Sequence, residues 1–511
     1  MSETILSALF SHASQRPNAI AFIGQNALGE TETLTFRQLS EQVCHYAGVF
    51  SAFQSHCVAI YAENSLSWLI ADLAAMYAQI PCVPLPKFFS SAQIEHVLSH
   101  TGTDTLVYDQ PLSGFEPCGE LNDCAIGQRS ELSQSSERSR CNESILPGTV
   151  KITFTSGSTG QPKGVCLSQQ NLDQVTLSLA QAMAKQNGLE KHLVMLPLST
   201  LLENITGVYV PLMLGLTSVV VDGALVGLQG SSHFVPEQFA GALMKYQPNS
   251  LVLTPALLHA LLAVTRNLPQ LAASLQFVAV GGARVTPQTL VEAHRLGLPV
   301  YEGYGLSECG SVVSLNTPQA NCPGTAGKIL PHAEVRIADD GEIMVRGAVV
   351  LGYINQPLVC EWVATGDLGD IDEQGFLSVR GRKKTQIITG FGRNISPEWI
   401  ESEAQQWDVL RSLIVVGEAK NRLMGVVLSQ DVEQVMNAIV ALNHQLPDYA
   451  RICQVILILS PQQYRALLTA NGRPIRHLVE AQVNLWCDSV ESFQNVIKRI
   501  DIELEHCEFK N

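Results

Sequence analysis

The chain has 511 residues, of which 46% are hydrophobic and 15% charged, and its formal net charge is −15. This length exceeds what one hydrophobic core usually organises, so roughly two to four domains or subdomains are expected. The composition leaves no room for extensive disorder. The acidic balance argues against a nucleic-acid partner, because phosphate backbones are bound by clustered Lys and Arg.

The cysteines, the N-terminal residues and the apolar runs indicate the cellular compartment of the protein. The 13 cysteines include no Cys-x-x-Cys pair, and Cys118, Cys124 and Cys141 lack zinc-ligand spacing. We interpret them as reduced thiols of a cytoplasmic protein. Residues 1–10 have no basic region ahead of an apolar core, which argues against a secretory signal. The longest apolar run, 208–221, is too short to cross a bilayer, so no integral membrane contact is expected.

The first part of the chain alternates helical and strand patterns, which predicts a largely parallel sheet. The predicted helices are 5–16, one following 34–36 with Leu39, Val43 and Ala47 on one face, 65–79 and 91–100. The predicted strands are 19–22, 58–61, 82–85 and 105–108. Polar residues dominate 111–147, which we interpret as a solvated loop; a regulatory or partner-binding role is the less favoured alternative.

The pattern continues with a second αβ layer and a different C-terminal region. Helices are predicted at 169–186, 235–246 and 255–264, and strands at 250–253 and 275–280. A hairpin at 338–347 suggests a small β-rich subdomain. Beyond it, a strand-loop-helix is predicted at 386–401, with Ser396 or Asn394 as the helix cap, then two short strands within 413–428 and a helix at 432–444.

The segment 152–165, Ile-Thr-Phe-Thr-Ser-Gly-Ser-Thr-Gly-Gln-Pro-Lys-Gly-Val, begins as a strand and continues as a Gly/Ser/Thr loop. Such a loop directs backbone N–H groups and hydroxyls at phosphates, and Lys163 adds a mobile positive charge. Its spacing does not match a Walker loop. A flexible linker is disfavoured, because Pro162 and Gly164 lie between two apolar strand patterns.

Two further motifs complete the pattern: Tyr-Glu-Gly-Tyr-Gly-Leu-Ser-Glu-Cys-Gly at 301–310, and Thr-Gly-Asp-Leu-Gly-Asp at 365–370 followed by Gly-Arg-Lys-Lys at 381–384. Together with 152–165, they resemble the adenylate-forming enzymes, which include acyl-CoA synthetases, nonribosomal-peptide adenylation domains and luciferases. The resemblance implies an α/β fold. A large N-terminal domain, 1–383, would hold stacked βαβ sheets, the small β-rich subdomain and the signature loop 153–164; a smaller, mobile α+β lid domain would span 384–511.

The resemblance also implies site residues. A first group would hold the ATP phosphates: Thr155, Ser156, Gly157, Ser158, Thr159, Gly160 and Lys163. A second group would present backbone to the adenine: Gly281, Gly282 and Ala283. Tyr304, followed by Gly305, would stack on the adenine, and Asp367 and Arg382 would hold the ribose.

The remaining implied roles concern the reaction. Ser307, a Thr in most members, would meet the α-phosphate or the acyl carboxylate. Glu308 would hold Mg²⁺, because a carboxylate beside phosphates is unfavourable unless a metal bridges them. Lys384 falls at the domain hinge.

Besides Ser307, the sequence departs from the family at two positions. The C-terminal catalytic lysine position holds Arg473, and a forked guanidinium does not automatically replace an ammonium. Arg473 could supply the cation, its neighbour Arg476 could do so, or adenylation could be weak. Thr200 stands where members place a histidine or an aromatic residue beside the acyl pocket.

Three functions therefore stay open. The first is an ATP- and Mg²⁺-dependent ligase that activates a carboxylic acid and transfers it to CoA or to the phosphopantetheine of an acyl carrier protein. Apolar residues at 208–214 favour a fatty acid as its substrate. The second is an aryl- or amino-acid-activating biosynthetic enzyme; no Asp before the Gly281–Gly282 turn is placed to hold an α-ammonium. The third is a degenerate member that binds AMP without turnover.

Overall fold

The computed structural model describes residues 4–26, 28–129, 145–156, 162–186, 188–229, 233–388, 394–418, 420, 422–447, 450–469, 472–488 and 497–501. Two nine-stranded sheets dominate the N-terminal part. The first runs in the spatial order Lys328–Ile329, Ser314–Leu315, Val300–Tyr304, Phe277–Val280, Ser250–Leu253, Lys191–Leu193, Thr217–Val219, Ile20–Gln25 and Thr31–Thr35. The second runs Gln356–Pro357, Gly352–Tyr353, Pro162–Ser168, Thr149–Ser156, Cys82–Pro84, Val58–Tyr61, Thr105–Tyr108, Cys124–Arg129 and Phe115–Leu121.

Both sheets have parallel centres, as the βαβ rhythm predicted. The strand Ser250–Leu253 pairs in parallel with Phe277–Val280, and Val58–Tyr61 pairs in parallel with Thr105–Tyr108. The helices of this part are Ile5–Gln15, Phe36–Ala52, Leu66–Tyr77, Ser91–Thr101, Gln169–Ala184, Leu201–Glu203, Val210–Leu214, Pro236–Tyr246, Pro255–Asn267 and Pro287–Arg295. Short 3₁₀ turns occupy Gly223–Val226, Pro269–Ser274 and Ser307–Cys309, and a two-stranded ribbon joins Leu228–Gln229 with His233–Phe234.

The main hydrophobic core takes side chains from strands of both large sheets, for example Phe22 and Ile60. Helix Leu66–Tyr77 is part of this core and is buried on every side except at Tyr77. Its side chains are apolar almost all round, which is the pattern of a fully buried helix rather than a surface one. Ser67 and Asp72 are the polar exceptions, and Asp72 places a carboxylate with no solvent exposure in the middle of that helix.

The interpretation of 111–147 as one solvated loop was wrong for its first half. Phe115–Leu121 and Cys124–Arg129 form an antiparallel pair at the edge of the second sheet. Only one face of this pair is buried, through residues such as Leu121 and Ile126, while Phe115–Leu121 is otherwise largely exposed. Sparse apolar residues on one face of an edge hairpin give a polar sequence that resembles a loop. Residues 130–144 lie outside the described part.

A four-stranded antiparallel sheet follows, formed by Ala333–Ile337, Glu342–Gly347, Val363–Ile371 and Leu377–Arg382. It contains the predicted hairpin, since Ala333–Ile337 pairs with Glu342–Gly347. The strand Leu377–Arg382 leads into the 3₁₀ turn Lys383–Thr385, where the sequence placed the hinge.

The C-terminal part has its own cores, built from residues between Ile387 and Ile500. Its sheet consists of Ile414–Val416, Leu423–Leu428, Ile452–Ile458 and Ile497–Asp501, preceded by the ribbon Ile387–Ile388 with Asn394–Ile395. Its helices are Pro397–Ala404, Val432–Gln445, Pro461–Arg465 and Arg476–Asp488, with a 3₁₀ turn at Asp408–Leu410. Ser396, one of the two predicted caps, accepts a hydrogen bond from the Trp399 N–H at 3.4 Å, with Pro397 in the first turn.

Several contacts join this part to the large domain, among them the close approach of Gly381 to Ser396 and two contacts at Arg284. Arg284 Nη2 lies 3.6 Å from Glu403 Oε1, and the Ser402 hydroxyl donates to the Arg284 carbonyl at 3.4 Å. Within the described ranges, none of the helices is both long and apolar enough to cross a membrane. The ten cysteines described there are free, and burial raises the pKa of the Cys57 and Cys124 thiols to about 12.

Candidate functional site

The signature segment lies on an antiparallel hairpin of the second sheet. Thr149–Ser156 pairs with Pro162–Ser168, and Thr155 faces Lys163 across the pair. The predicted residues Gly157, Ser158, Thr159 and Gly160 lie outside the described residues, as does the side chain of Ser156. The role of this segment in phosphate binding therefore stays a prediction.

Gly164 has a packing reason to be glycine. A Cβ at this position would overlap the side chains of Ile354 and Phe154. The short strand Gly352–Tyr353 pairs with the hairpin at Cys166 and Val165, and the Ile354 N–H donates to the Gly164 carbonyl at 3.0 Å. The phosphate-loop hairpin is thereby tied to residues almost 200 positions later in the sequence.

The motif at 301–310 forms the strand Val300–Tyr304 and the 3₁₀ turn Ser307–Cys309, and places Ser307 half-buried. Gly305 is required between them, because a Cβ there would overlap the Ser311 carbonyl oxygen. The residues Gly281, Gly282 and Ala283 follow the neighbouring strand Phe277–Val280, and a Cβ on Gly281 would lie 3.4 Å from the Gly303 carbonyl oxygen. The predicted adenine turn and the tyrosine motif are therefore adjacent.

Asp367 is at the centre of the predicted ribose site. Its Oδ2 accepts a hydrogen bond from the Tyr304 hydroxyl at 2.7 Å, and its Oδ1 lies 2.9 Å from Arg382 Nε. Asp367 and Arg382 face each other on paired strands, which explains their spacing in the sequence. Burial raises the pKa of Asp367 while the Arg382 guanidinium opposes that shift, and burial raises the pKa of Tyr304. The carboxylate is thus held by one neutral and one charged donor.

Glu308, the predicted metal carboxylate, has a partner that the sequence did not reveal. Its Oε1 accepts a hydrogen bond from the Tyr353 hydroxyl at 2.7 Å. Lys163 Nζ lies 5.7 Å from the centroid of the same tyrosine ring. Burial, followed by the bond to Glu308, raises the pKa of Tyr353. Tyr353 thus contacts both a phosphate-loop lysine and the predicted metal carboxylate.

The donor set around Glu308 fits a nucleotide-bound magnesium ion rather than a protein-only metal site. Across the described ranges, no cluster of three or more His, Cys, Asp or Glu side chains could hold a metal ion. Mg²⁺ is typically bound through one or two carboxylates together with substrate phosphates and water. A single hard carboxylate beside the hairpin predicted to bind phosphates matches that requirement.

Arg473 and Arg476 have different surroundings. Arg476 donates to both oxygens of Glu401 at 2.6 Å and to the Val415 carbonyl at 3.1 Å. In the described part of the chain, the Arg473 guanidinium has neither a hydrogen-bond acceptor nor an ion-pair partner. Partial desolvation, followed by the positive charge of Arg382, lowers the pKa of Arg473. Arg473 therefore carries a positive charge that has no partner among the described residues and that is repelled by the charge of Arg382.

Lys384 is exposed in the 3₁₀ turn Lys383–Thr385. Its neighbour Lys383 is tied to the large domain by Asp340 at 2.5 Å and Glu342 at 2.7 Å. The position of Lys384 is compatible with a hinge immediately after this tie, and its role stays a prediction.

The apolar residues of 208–214, from which a fatty-acid substrate was inferred, belong to the hydrophobic core. Val208, Tyr209, Leu212 and Met213 are at most 5% exposed and belong to the main hydrophobic cluster. They lie in the π-helical segment Asn204–Tyr209 or in the helix Val210–Leu214 that follows it. Thr200, at the position of the family's histidine or aromatic residue, donates its hydroxyl to the Pro197 carbonyl at 2.7 Å. These apolar residues do not carry the preference for a fatty acid.

A buried polar cluster behind this segment was also missed. Lys151 Nζ donates to Asp72 Oδ1 and to the Tyr209 hydroxyl, each at 2.6 Å, and to Asn204. Asp72 Oδ2 accepts from the Tyr209 hydroxyl at 2.6 Å and from Asn204 Nδ2 at 3.0 Å. Lys151 lies on the strand that leads to the signature segment, so the cluster joins that strand to the π-helix. No sequence motif marks these four residues as partners.

Comparisons with known proteins identify the family to which the chain belongs. The profile of the family described as AMP-binding enzyme matches residues 9–354. A long-chain-fatty-acid–CoA ligase of Mycobacterium bovis is 28% identical over 428 residues, which are 71% of this chain and 71% of that protein. A 2-succinylbenzoate–CoA ligase of Enterococcus faecalis is 26% identical over 445 residues, covering 80% of this chain and 85% of that protein.

Solved structures show the same fold. The O-succinylbenzoate CoA synthetase of Bacillus subtilis, in complex with its acyl-adenylate intermediate, has a TM-score of 0.72 at 22% identity and covers 92% of this chain and 97% of its own. An anthranilate CoA ligase in complex with anthranoyl-AMP has a TM-score of 0.75 at 17% identity, covering 95% and 98%. With its large N-terminal and small C-terminal domains and its matched family profile, the chain belongs to the AMP-binding family of adenylate-forming enzymes, which includes the acid–CoA ligases.

Proposed function

We propose that this protein is an ATP-dependent acid–thiol ligase that activates a carboxylic acid, preferentially a fatty acid, as acyl-AMP and transfers the acyl group to CoA or to a carrier-protein pantetheine. The observation that carries the proposal is the geometry of the large-domain site, where Tyr304 and Arg382 hold Asp367 and where Tyr353 connects Glu308 with Lys163. The pKa of Arg473 in the C-terminal domain is lowered by desolvation and also by the positive charge of Arg382, and an anion bound at this site would relieve the repulsion between the two charges. A nucleotide phosphate with an attacking carboxylate is such an anion.

In the first half-reaction, a carboxylate oxygen attacks the α-phosphorus of ATP and pyrophosphate leaves. Both reactants are anions, so positioned cations lower the barrier. In the proposal Arg473 neutralises charge at the α-phosphate and Lys163, with the residues 155–160, holds the β- and γ-phosphates. Ser307 donates its hydroxyl to the α-phosphate or to the acyl carboxylate. Glu308 holds Mg²⁺, which when bound supplies positive charge beside the phosphates.

The same proposal assigns the residues that bind the ribose and the adenine of ATP. Asp367 accepts the ribose hydroxyls and Arg382 keeps its carboxylate in place, because the two side chains already form a 2.9 Å ion pair. Tyr304 and the backbone of Gly281, Gly282 and Ala283 border the adenine. The chain divides functionally after residue 383, and rotation at Lys384 would let the thiol reach the acyl-adenylate for the second half-reaction.

The identity of the acid substrate is proposed from the similarity to known ligases, and not from the apolar residues of 208–214. The resemblance to a long-chain-fatty-acid–CoA ligase supports a fatty acid, and the resemblance to 2-succinylbenzoate–CoA ligases supports an aryl acid as the second candidate. Pyrophosphate exchange with short, medium and long fatty acids, benzoate, succinylbenzoate and amino acids separates these possibilities. Fastest exchange with a long fatty acid is the expected result; fastest exchange with succinylbenzoate would overturn the preference and leave the ligase assignment intact.

The acceptor is tested separately, by following release of AMP with CoA and with a carrier protein bearing phosphopantetheine. We place the reaction in the cytoplasm, where ATP and CoA are supplied and the free thiols of this chain stay reduced. Measurable AMP binding without exchange by any acid would contradict the ligase proposal and support the non-catalytic alternative.

A further inference from the structure

Tyr353 connects two parts of the proposed active site that are far apart in the sequence. Its hydroxyl donates to Glu308 Oε1 at 2.7 Å, and its ring faces Lys163 Nζ at 5.7 Å. The distance to Lys163 lies within the range of a cation–π contact. No feature of the sequence singled this tyrosine out.

The backbone around Tyr353 is fixed on both sides. Tyr353 pairs with Val165 of the signature hairpin, and the Val350 N–H donates to the Glu308 carbonyl at 3.1 Å. The segment from Val350 to Tyr353 is thus a rigid bridge between the hairpin and the turn that holds Glu308. A tyrosine on such a bridge can hold a carboxylate in one orientation.

A carboxylate that binds a metal through one oxygen can rotate about its side-chain bonds unless the other oxygen is held. Hydrogen bonds from neighbouring groups to ligating carboxylates restrict that rotation and raise metal affinity. The Tyr353 hydroxyl occupies Oε1 of Glu308 and leaves Oε2 for a metal ion. The contact between the Tyr353 ring and Lys163 would hold the Lys163 ammonium at a fixed position relative to that ion.

We propose that Tyr353 is a positioning residue that holds the Glu308 carboxylate for the magnesium ion of MgATP and aligns Lys163 with it. The inference rests on the proposed function, because that function assigns Glu308 to Mg²⁺. It extends the site to a residue that acts through its contacts with Glu308 and Lys163.

Direct binding of ATP measured by calorimetry, with Mg²⁺ and with a chelator instead, tests this inference without turnover. Tyr353→Phe removes only the hydroxyl and keeps the ring above Lys163. We expect the Kd for ATP in Mg²⁺ to rise about 10-fold, the lower end of the loss seen when a hydrogen bond to a metal-binding side chain is removed, and the Kd in the chelator to stay unchanged.

Two further variants complete the test. Tyr464→Phe is the matched control, because the Tyr464 hydroxyl donates a 2.6 Å hydrogen bond to the Ser412 carbonyl in the C-terminal domain, away from Glu308. It should leave both Kd values unchanged. In a Glu308→Gln background, Tyr353→Phe should have no further effect on the Kd in Mg²⁺, since the two residues act as one unit.

The contrary outcomes are distinct. An equal loss of affinity with and without Mg²⁺ would show that the hydroxyl supports the loop and not the metal site, and would overturn the inference. An undiminished effect of Tyr353→Phe in the Glu308→Gln background would overturn it as well. Absence of pyrophosphate exchange by the wild-type protein would instead refute the proposed function, and that assay is independent of these Kd values.

Discussion

The guanidinium group of Arg476 forms two 2.6 Å hydrogen bonds with the carboxylate of Glu401, one to each oxygen. Glu401 Oε1 also accepts the Val415 N–H at 2.7 Å, so the pair joins the helix Pro397–Ala404 to the sheet of the C-terminal domain. Arg473 is only three residues earlier but has no such anchor among the described residues. Of the two arginines near the family's lysine position, Arg476 is therefore held within the C-terminal domain, and Arg473 stays the proposed catalytic cation.

Replacing these two arginines should separate stability from activity. Arg476→Ala leaves Glu401 charged and largely buried without its partner, and loss of such a partner costs about 3 kcal/mol. Arg473→Ala removes an accessible side chain and should change the free energy of unfolding by no more than about 0.5 kcal/mol. Urea unfolding of both variants measures these values.

Pyrophosphate exchange provides the complementary readout. Arg473→Ala should lower the exchange rate by about 100-fold, the typical loss of one donor that stabilises developing charge, and Arg473→Lys should keep a measurable part of it. Full exchange in Arg473→Ala would exclude this residue as the cation. A stable but inactive Arg476→Ala would transfer the role to Arg476.

Removing one charge from the buried pair of Lys151 and Asp72 should lower the free energy of unfolding strongly. Removing the second charge as well should restore much of it. Lys151→Met leaves the Asp72 carboxylate fully buried and uncompensated, which should destabilise the protein by about 3 kcal/mol or more. Asp72→Leu combined with Lys151→Met removes both charges and should recover much of that loss, because an apolar pair of similar volume is often as stable as a buried ion pair. Urea unfolding of the single and double variants measures the recovery. A double variant as unstable as the single one would mean that Asn204 and Tyr209 need these partners.

The periodicity of the sequence predicted most of the large domain well. The strands Val58–Tyr61, Thr105–Tyr108 and Ser250–Leu253 were predicted with their observed bounds. These strands are buried on both faces, so their apolar runs are continuous and bounded by polar residues. The edge hairpin that includes Phe115–Leu121 was missed because one exposed face makes its pattern polar.

Contacts across the chain could not be predicted in the same way. The motifs identified Asp367 and Arg382, whose pairing follows from a local hairpin. Tyr353 and Lys151 make their contacts through sheet pairing and core packing with residues 45 or more positions away. A tyrosine after a glycine, or a lysine in an apolar strand, has no local signature that reveals such a partner.

Glu302 predicts a pH dependence of stability. Burial raises its pKa from 4.5 to about 7, while the hydrogen bond from the Gly324 N–H and the charge of Arg284 oppose the shift. The folded state therefore holds a proton that the unfolded chain has released, so this contribution is complete below pH 4.5 and is lost as the pH rises to about 7. The loss amounts to at most about 3 kcal/mol.

Glu302→Gln isolates this contribution, since the amide oxygen can still accept the Gly324 N–H. The difference in the free energy of unfolding, variant minus wild type, should increase between pH 4.5 and 7 and level off above it. Chemical denaturation at a series of pH values measures the difference. A difference that stays constant over this range would show that Glu302 is ionised in the folded protein.

The ion pair between Arg284 and Glu403 crosses the domain boundary at 3.6 Å and predicts an effect on the first half-reaction. Arg284 follows the predicted adenine turn, and Glu403 lies on the first helix of the C-terminal domain, so the pair favours the domain arrangement of this structure. Arg284→Glu turns the attraction into repulsion. Because partly exposed pairs contribute up to about 1 kcal/mol, pyrophosphate exchange should fall about five-fold.

A charge exchange completes the experiment. Arg284→Glu combined with Glu403→Arg restores an opposite pair and should return exchange most of the way to the wild-type rate, whereas each single variant stays slow. Arg266→Glu is the matched control, because Arg266 pairs with Glu292 within the large domain and its reversal should leave exchange unchanged. If the double variant were no faster than the single ones, the contact would not govern how the domains meet. In that case the ordering of Arg473 would depend on the hinge and on the bound nucleotide alone.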